Sequence, residues 1–174
     1  MRAAKNAGNM DTSPQSQPTK DARVAVSLFA VTMIVALLGG AVSGGEADPW
    51  YASLNKAPGT PPGYVFGLVW PVLYLMMATA AILAVRSAGD WAAARPILLA
   101  YSAQLLLNLA WSYLFFGLHA PVAALADIAA LWLAIGACIY VFGRTRALAG
   151  LLLVPYLVWV TFAAYLNGWV ILTN

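Results

Sequence analysis

Few residues of this chain could do chemistry, and most of them sit in apolar text. Asp127 stands in the run Ala124-Leu125-Ala126-Asp127-Ile128-Ala129, far from any Lys or Arg. A carboxyl in such surroundings is neutral, or it is hydrogen-bonded to another segment or to water. An acid stranded at membrane depth is a functional-site candidate by default, with a structural carboxyl near the interface as the plainer reading. Tyr101, Gln104, Asn108, Trp111 and Phe115 follow one another at intervals of 3, 4, 3 and 4, which lines them up on one face of a helix. That face is either interhelical hydrogen-bond glue or one wall of a ligand cavity. Two amides flanked by three aromatics favour the cavity. Tyr156, Trp159 and Ala163 repeat the pattern at intervals of 3 and 4, and Trp70 and Tyr74 lie four apart. The single His119, the single Cys138 and Asp127 make neither a catalytic triad nor a metal site. One cysteine forms no disulfide within the chain. His119 falls in a tight turn and reads as a solvated residue rather than a haem ligand. The chemistry these residues suit is the lining of a ligand cavity rather than catalysis.

The elements that must position them follow from composition. Of 174 residues, 63% are hydrophobic and 9% are charged, against about 25% charged in soluble domains. So few charges cannot cover a water-soluble globule, which excludes a soluble enzyme domain and a disordered chain. The net charge is +3, but the basic residues are scattered through connecting segments and form no stripe that could track a phosphate backbone. Nucleic acid is therefore not an expected partner. Residues 1–22 are polar and read as a disordered tail, leaving 23–174 as one transmembrane domain. Five apolar runs follow: about Val24 to Val42, Tyr64 to Val85, Ile97 to Leu118, Pro121 to Phe142 and Leu148 to Leu172. Each is long enough to cross a bilayer core of about 30 Å as a helix, and helices satisfy their own backbone hydrogen bonds there. The predicted fold class is an all-α membrane protein, a five-transmembrane-helix bundle.

Punctuation supports these limits. Ser43-Gly44-Gly45 ends the first run, and Pro61-Pro62-Gly63 opens the second. Pro96 and Pro121 are placed at helix starts, where a missing N–H costs nothing. Pro71 and Pro155 lie inside runs and should kink them. Ala36, Gly40 and Gly44 recur every four residues, a spacing that lets helices approach closely within the bundle or in a homodimer. The first run is too long for a signal-peptide core and reads as a retained span. Arg2, Lys5, Lys20, Arg23, Arg86, Arg95, Arg144 and Arg146 fall on one side of such a bundle, and Lys56 alone falls on the other. The positive-inside rule then predicts a cytoplasmic N-terminus, with the first loop, Ser43–Gly63, and the C-terminus on the opposite side.

From Trp50 onward the text resembles the TspO/MBR family of tryptophan-rich sensory and translocator proteins. The resemblance rests on Trp50-Tyr51-x-x-Leu54-x-Lys56, Pro61-Pro62, Val65-Phe66-Gly67-x-Val69-Trp70-x-Val72-Leu73-Tyr74, Gln104-Leu105-x-Leu107-Asn108-x-x-Trp111-Ser112-x-x-Phe115-Phe116, Ala126-Asp127, Val154-Pro155-Tyr156-Leu157-x-Trp159 and Ala163-x-Tyr165-Leu166-Asn167. It covers about residues 24–172. It implies a five-helix bundle, often dimeric, with a pocket beneath the first loop that takes porphyrins and other tetrapyrroles, and in some members sterols. The family's pocket positions fall on Trp70, Asn108, Trp111, Trp159 and Ala163, with Asp127 and Tyr74 nearby. Two departures stand out, Gly59 and Tyr64, where members often carry tryptophan. The end of the chain also lacks the basic residue of the animal sterol motif. The expected function is a membrane receptor or sensor for a tetrapyrrole of porphyrin or haem type, with no obligatory cofactor and no metal. A transporter of tetrapyrroles or lipids is the second expectation, against which the lack of internal repeats argues. A light-dependent porphyrin-degrading enzyme is the third.

Overall fold

A computed structural model describes residues 16–174. Residues 1–15, most of the segment read as a polar tail, lie outside it. The first helix, α1 (Ser16–Val42), already includes residues 16–22 of that segment. After a 3-10 turn at Gly45–Ala47 comes a one-turn helix, α2 (Pro49–Ser53). Asp48 caps it by accepting the backbone N–H of Trp50 at 2.9 Å, and Pro49 occupies the first helical position. The long helices follow: α3 (Gly63–Ser87), α4 (Trp91–Ser112) and α5 (Pro121–Thr145). A π turn, Tyr113–Gly117, prolongs α4. The chain closes with a short α6 (Ala147–Leu151) and α7 (Val154–Thr173). Five helical segments are long and apolar enough to cross a membrane, and no strand occurs among the described residues. The protein is an all-α bundle of five transmembrane helices, and hence an integral multi-pass membrane protein.

Three expectations about the elements change. Helix α4 starts at Trp91, not near Ile97, because Asp90 accepts the N–H of Ala93 at 2.8 Å and caps the helix earlier than hydropathy indicates. Pro96 therefore lies inside α4 rather than at its start, and the carbonyl of Ala92, four residues back, loses its helical donor. The fifth run is interrupted. The α-helix breaks at Leu152–Leu153, just before Pro155, which takes a place in the first turn of α7 where no donor is needed. Pro155 thus breaks the run outright, while Pro71 stays within α3. Lastly, Ala36, Gly40 and Gly44 do not form one packing strip within the bundle. Gly40 has no atom within 4 Å of where a Cβ would lie, and Gly44 packs on Asp48 instead. The glycine of α1 that meets the bundle is Gly39, whose Cβ would sit 3.4 Å from Ser112 Oγ and 3.7 Å from the Tyr74 hydroxyl.

The packing is that of a membrane bundle. Met77, Ala80, Ala81 and Ala84 bury one face of α3, small side chains that admit close neighbours. Ile97 and Leu105 of α4, Ile128, Leu131, Ile135 and Phe142 of α5, and Val160 of α7 complete the core. Leu37, Leu68, Leu99, Leu106, Leu133 and Val158 point outward and are exposed, as lipid-facing positions should be. Helix α5 is central, packing on α4, α6 and α7, while α1 rests on α3 and α4.

Candidate functional site

The polar residues of the stripes meet where α3, α4 and α7 converge. Asn108 of α4 is 2% exposed. Its carbonyl oxygen accepts the Tyr74 hydroxyl at 2.5 Å, and its amide donates to the Tyr156 hydroxyl at 2.9 Å. One amide thus satisfies two buried phenols from two other helices, as a low-dielectric interior demands. Trp70 lies against both tyrosines, its ring 5.7 Å from Tyr74 and 6.4 Å from Tyr156. One turn deeper, Gln104 is 1% exposed, and neither end of its side chain has a hydrogen-bond partner. Below it the Tyr101 hydroxyl bonds Thr32 of α1 at 2.6 Å.

The remaining predicted residues do not join these hydrogen bonds. Trp111 is half-buried and stacks on Phe115, with ring centres 5.3 Å apart and planes 17° from parallel. Its indole N–H donates to Asn167 Oδ1 at 3.3 Å, and Asn167 in turn donates to the carbonyl of Pro121 at 2.7 Å. Trp159 meets Phe66 of α3 edge-on at 5.6 Å. Ala163, one turn on, packs half-buried against the core. Asp127 is half-buried, and one of its carboxylate oxygens is covered without a hydrogen-bond partner. A shallow apolar groove of about 410 Å³ between α5 and α7, lined by Leu125, Trp132, Leu133 and Thr161 among others, includes none of these positions.

The first loop covers the cluster's aromatic end. A π turn offsets successive side chains from the α-helical register, and both Phe115 and Phe116 face the loop. Trp50 packs edge-on against Phe115 at 5.3 Å, and Tyr51 packs on Phe116 at 5.5 Å. Burial, and secondarily the negative charge of Glu46, push the Tyr51 hydroxyl above its ordinary range. Lys56 lies 4.9 Å over the Tyr51 ring. The loop is tied down at two further points. Asn55 N–H donates to Asn174 Oδ1 at 2.8 Å, and the Tyr165 hydroxyl donates to the carbonyl of Pro58 at 3.1 Å. His119 is not a solitary turn residue. Its ring stacks on Trp50 at 4.2 Å, and its Nε2 faces Asp48 Oδ2 at 3.5 Å.

Sequence reasoning missed Asn167, Phe66 and the Asp48–His119 contact. An asparagine in an apolar helix is a readable signal, so Asn167 could have been found. The pairing of Asp48 with a histidine 71 positions away leaves no trace in spacing. Among the described residues no group of His, Cys, Asp and Glu side chains is arranged to hold a metal.

Comparison with known proteins agrees with the motif pattern. The sequence matches the TspO/MBR family over residues 27–172, a stretch that begins inside α1. The tryptophan-rich protein TspO of Chlorobaculum tepidum is 37% identical over 146 residues, covering 84% of this chain and 92% of that protein. The tryptophan-rich sensory protein of Cereibacter sphaeroides is 39% identical over 122 residues, 70% of this chain and 75% of that one. The translocator protein of Bos taurus is 33% identical over 144 residues, 82% and 85% of the two chains. With the five-helix bundle, the aromatic cluster and a match that spans most of its length, this chain belongs to the TspO/MBR family.

Proposed function

We propose that the protein is a membrane receptor that binds a flat tetrapyrrole of porphyrin type, and regulates a cellular response to it, at the aromatic end of the bundle beneath the first loop. The observation that carries this reading is that three half-buried tryptophans from three helices, Trp70, Trp111 and Trp159, pack against the core that holds Tyr74 and Tyr156, with Trp70 directly on both tyrosines. Such rings supply large, rigid faces for stacking on a planar macrocycle. The unpartnered polar atoms of Gln104 and Asp127 supply polar contacts. A relative named for sensing supports the receptor reading. The relatives named translocator protein favour transport of the same ligand class as the second reading. The outward face of α1 around Gly40 is where a second copy would dock in a homodimer.

Titration of the purified protein with protoporphyrin, read by tryptophan quenching, tests the site. Trp111→Ala combined with Trp159→Ala is expected to weaken binding by about tenfold or more, ~1.4 kcal/mol. Unchanged affinity would remove these residues from the site. Uptake of porphyrin into sealed vesicles, above empty vesicles, would establish transport instead.

A further inference from the structure

The contact between His119 and the first loop has features that a passive turn does not need. His119 is the only non-glycine residue with positive φ among the described residues, at 51°. Histidine tolerates this left-handed conformation better than most residues but still uncommonly. Strain of this kind persists where the surroundings over-determine it, and it clusters at functional positions. Here it directs the imidazole across the α4–α5 turn onto the loop, stacked on Trp50 at 4.2 Å with planes 15° apart and facing Asp48 Oδ2 at 3.5 Å. Asp48 serves two partners at once: Oδ1 caps α2 while Oδ2 faces the imidazole. Gly44 makes room for this, since a Cβ there would lie 3.0 Å from the Cβ of Asp48.

We propose that His119 is a positioning residue that clamps the first loop over the aromatic site, and that protonation of its imidazole tightens the clamp and slows release of the bound ligand. Imidazole is the side chain whose ordinary charge change falls between pH 5 and 8. Protonation turns the 3.5 Å contact into an ion pair and adds a cation over the Trp50 face. The sign follows from the acceptor being a carboxyl group: a positively charged imidazole is drawn to it and a neutral one is not, so acidic pH favours the closed loop. The other titratable or charged groups on the elements packed around it are Glu46, Tyr51 and Lys56 of the loop, Tyr113 of the π turn, Asp127 of α5 and the carboxyl end of the chain. None of them is an imidazole, and no second histidine exists in the chain.

The ligand part of this proposal rests on the tetrapyrrole reading; the clamp does not. Hydrogen–deuterium exchange of the loop, residues 48–62, is therefore measured without ligand in lipid nanodiscs from pH 5.5 to 8, corrected for intrinsic rates. Protection in the unaltered protein is expected to fall about two- to fivefold over this range, the scale of a partly exposed ion pair. His119→Gln and Asp48→Asn, the latter retaining an N-cap side chain, should both give flat profiles. A flat profile in the unaltered protein, or the original profile surviving in either variant, overturns the clamp. Protoporphyrin dissociation, followed by stopped flow at the same pH values, should slow at acidic pH in the unaltered protein alone. If the exchange profiles behave as stated and protoporphyrin does not bind, the clamp stands and the tetrapyrrole reading falls.

Discussion

Asn108 is the residue on which three helices depend. It is the shared partner of Tyr74 and Tyr156, so removing its amide strands two buried hydroxyls at once. Leaving one buried polar group unmet costs about 1–3 kcal/mol, whereas interhelical hydrogen bonds in membranes average about 0.6 kcal/mol because the undocked helices also find partners. Asn108→Leu should therefore destabilise the bundle by about 1–3 kcal/mol and Tyr156→Phe by less than half of that, as read by denaturant unfolding in mixed micelles. Equal effects would mean that the two hydroxyls do not share the amide. The importance of Asn108 was legible in the sequence, because an amide on an otherwise apolar face has no reason to meet lipid. Its partners were only half legible. Tyr74 and Tyr156 belong to their own stripes, and helical spacing says which residues share a face but not which faces meet. His119 is solvent-exposed in its turn, as read from the sequence, but its partners Asp48 and Trp50 were not legible for the same reason, being remote in the chain.

At the scale of elements, the join between α5 and α6 leaves almost no room. A Cβ on Gly150 would lie 2.8 Å from the carbonyl oxygen of Ile139 and 3.1 Å from the Cα of Gly143, both backbone atoms that cannot swing aside. Gly150→Ala should cost about 1–3 kcal/mol through overpacking, visible as a lowered midpoint in the same unfolding measurement. Gly143→Ala, with open space at its own Cβ position, should cost much less. Both glycines are visible in the sequence beside Arg144-Thr145-Arg146, but spacing cannot tell which one the neighbouring backbone requires. Apolar length located all five spans. It misplaced the start of α4, because a capping aspartate acts through a single hydrogen bond that hydropathy averages away, and it read Pro155 as a kink where the α-helix is interrupted just before α7.

For the whole molecule, the asymmetry of charge remains the guide to how it sits in the membrane. With Lys56 as the only Lys or Arg on the loop side, the first loop is predicted to face away from the cytoplasm. Cys138 is fully buried and should be silent to a membrane-impermeant maleimide. Ala52→Cys should then label in intact cells, and Ser87→Cys only after lysis. The reverse pattern would invert the orientation.

The outermost helix also bears on how the bundle comes together. Only 17% of the most apolar stretch of α1 is buried, against 28–39% for the other four spans. Its polar ties inward are few, among them the Thr32–Tyr101 bond and the close approach of Gly39 to Tyr74 and Ser112. Helices inserted separately into a bilayer associate according to how much packing each gains. On the burial of its most apolar stretch alone, α1 gains the least and is expected to dock after the other spans. Helix α1 would then wait in the lipid until residues more than a hundred positions later had been made.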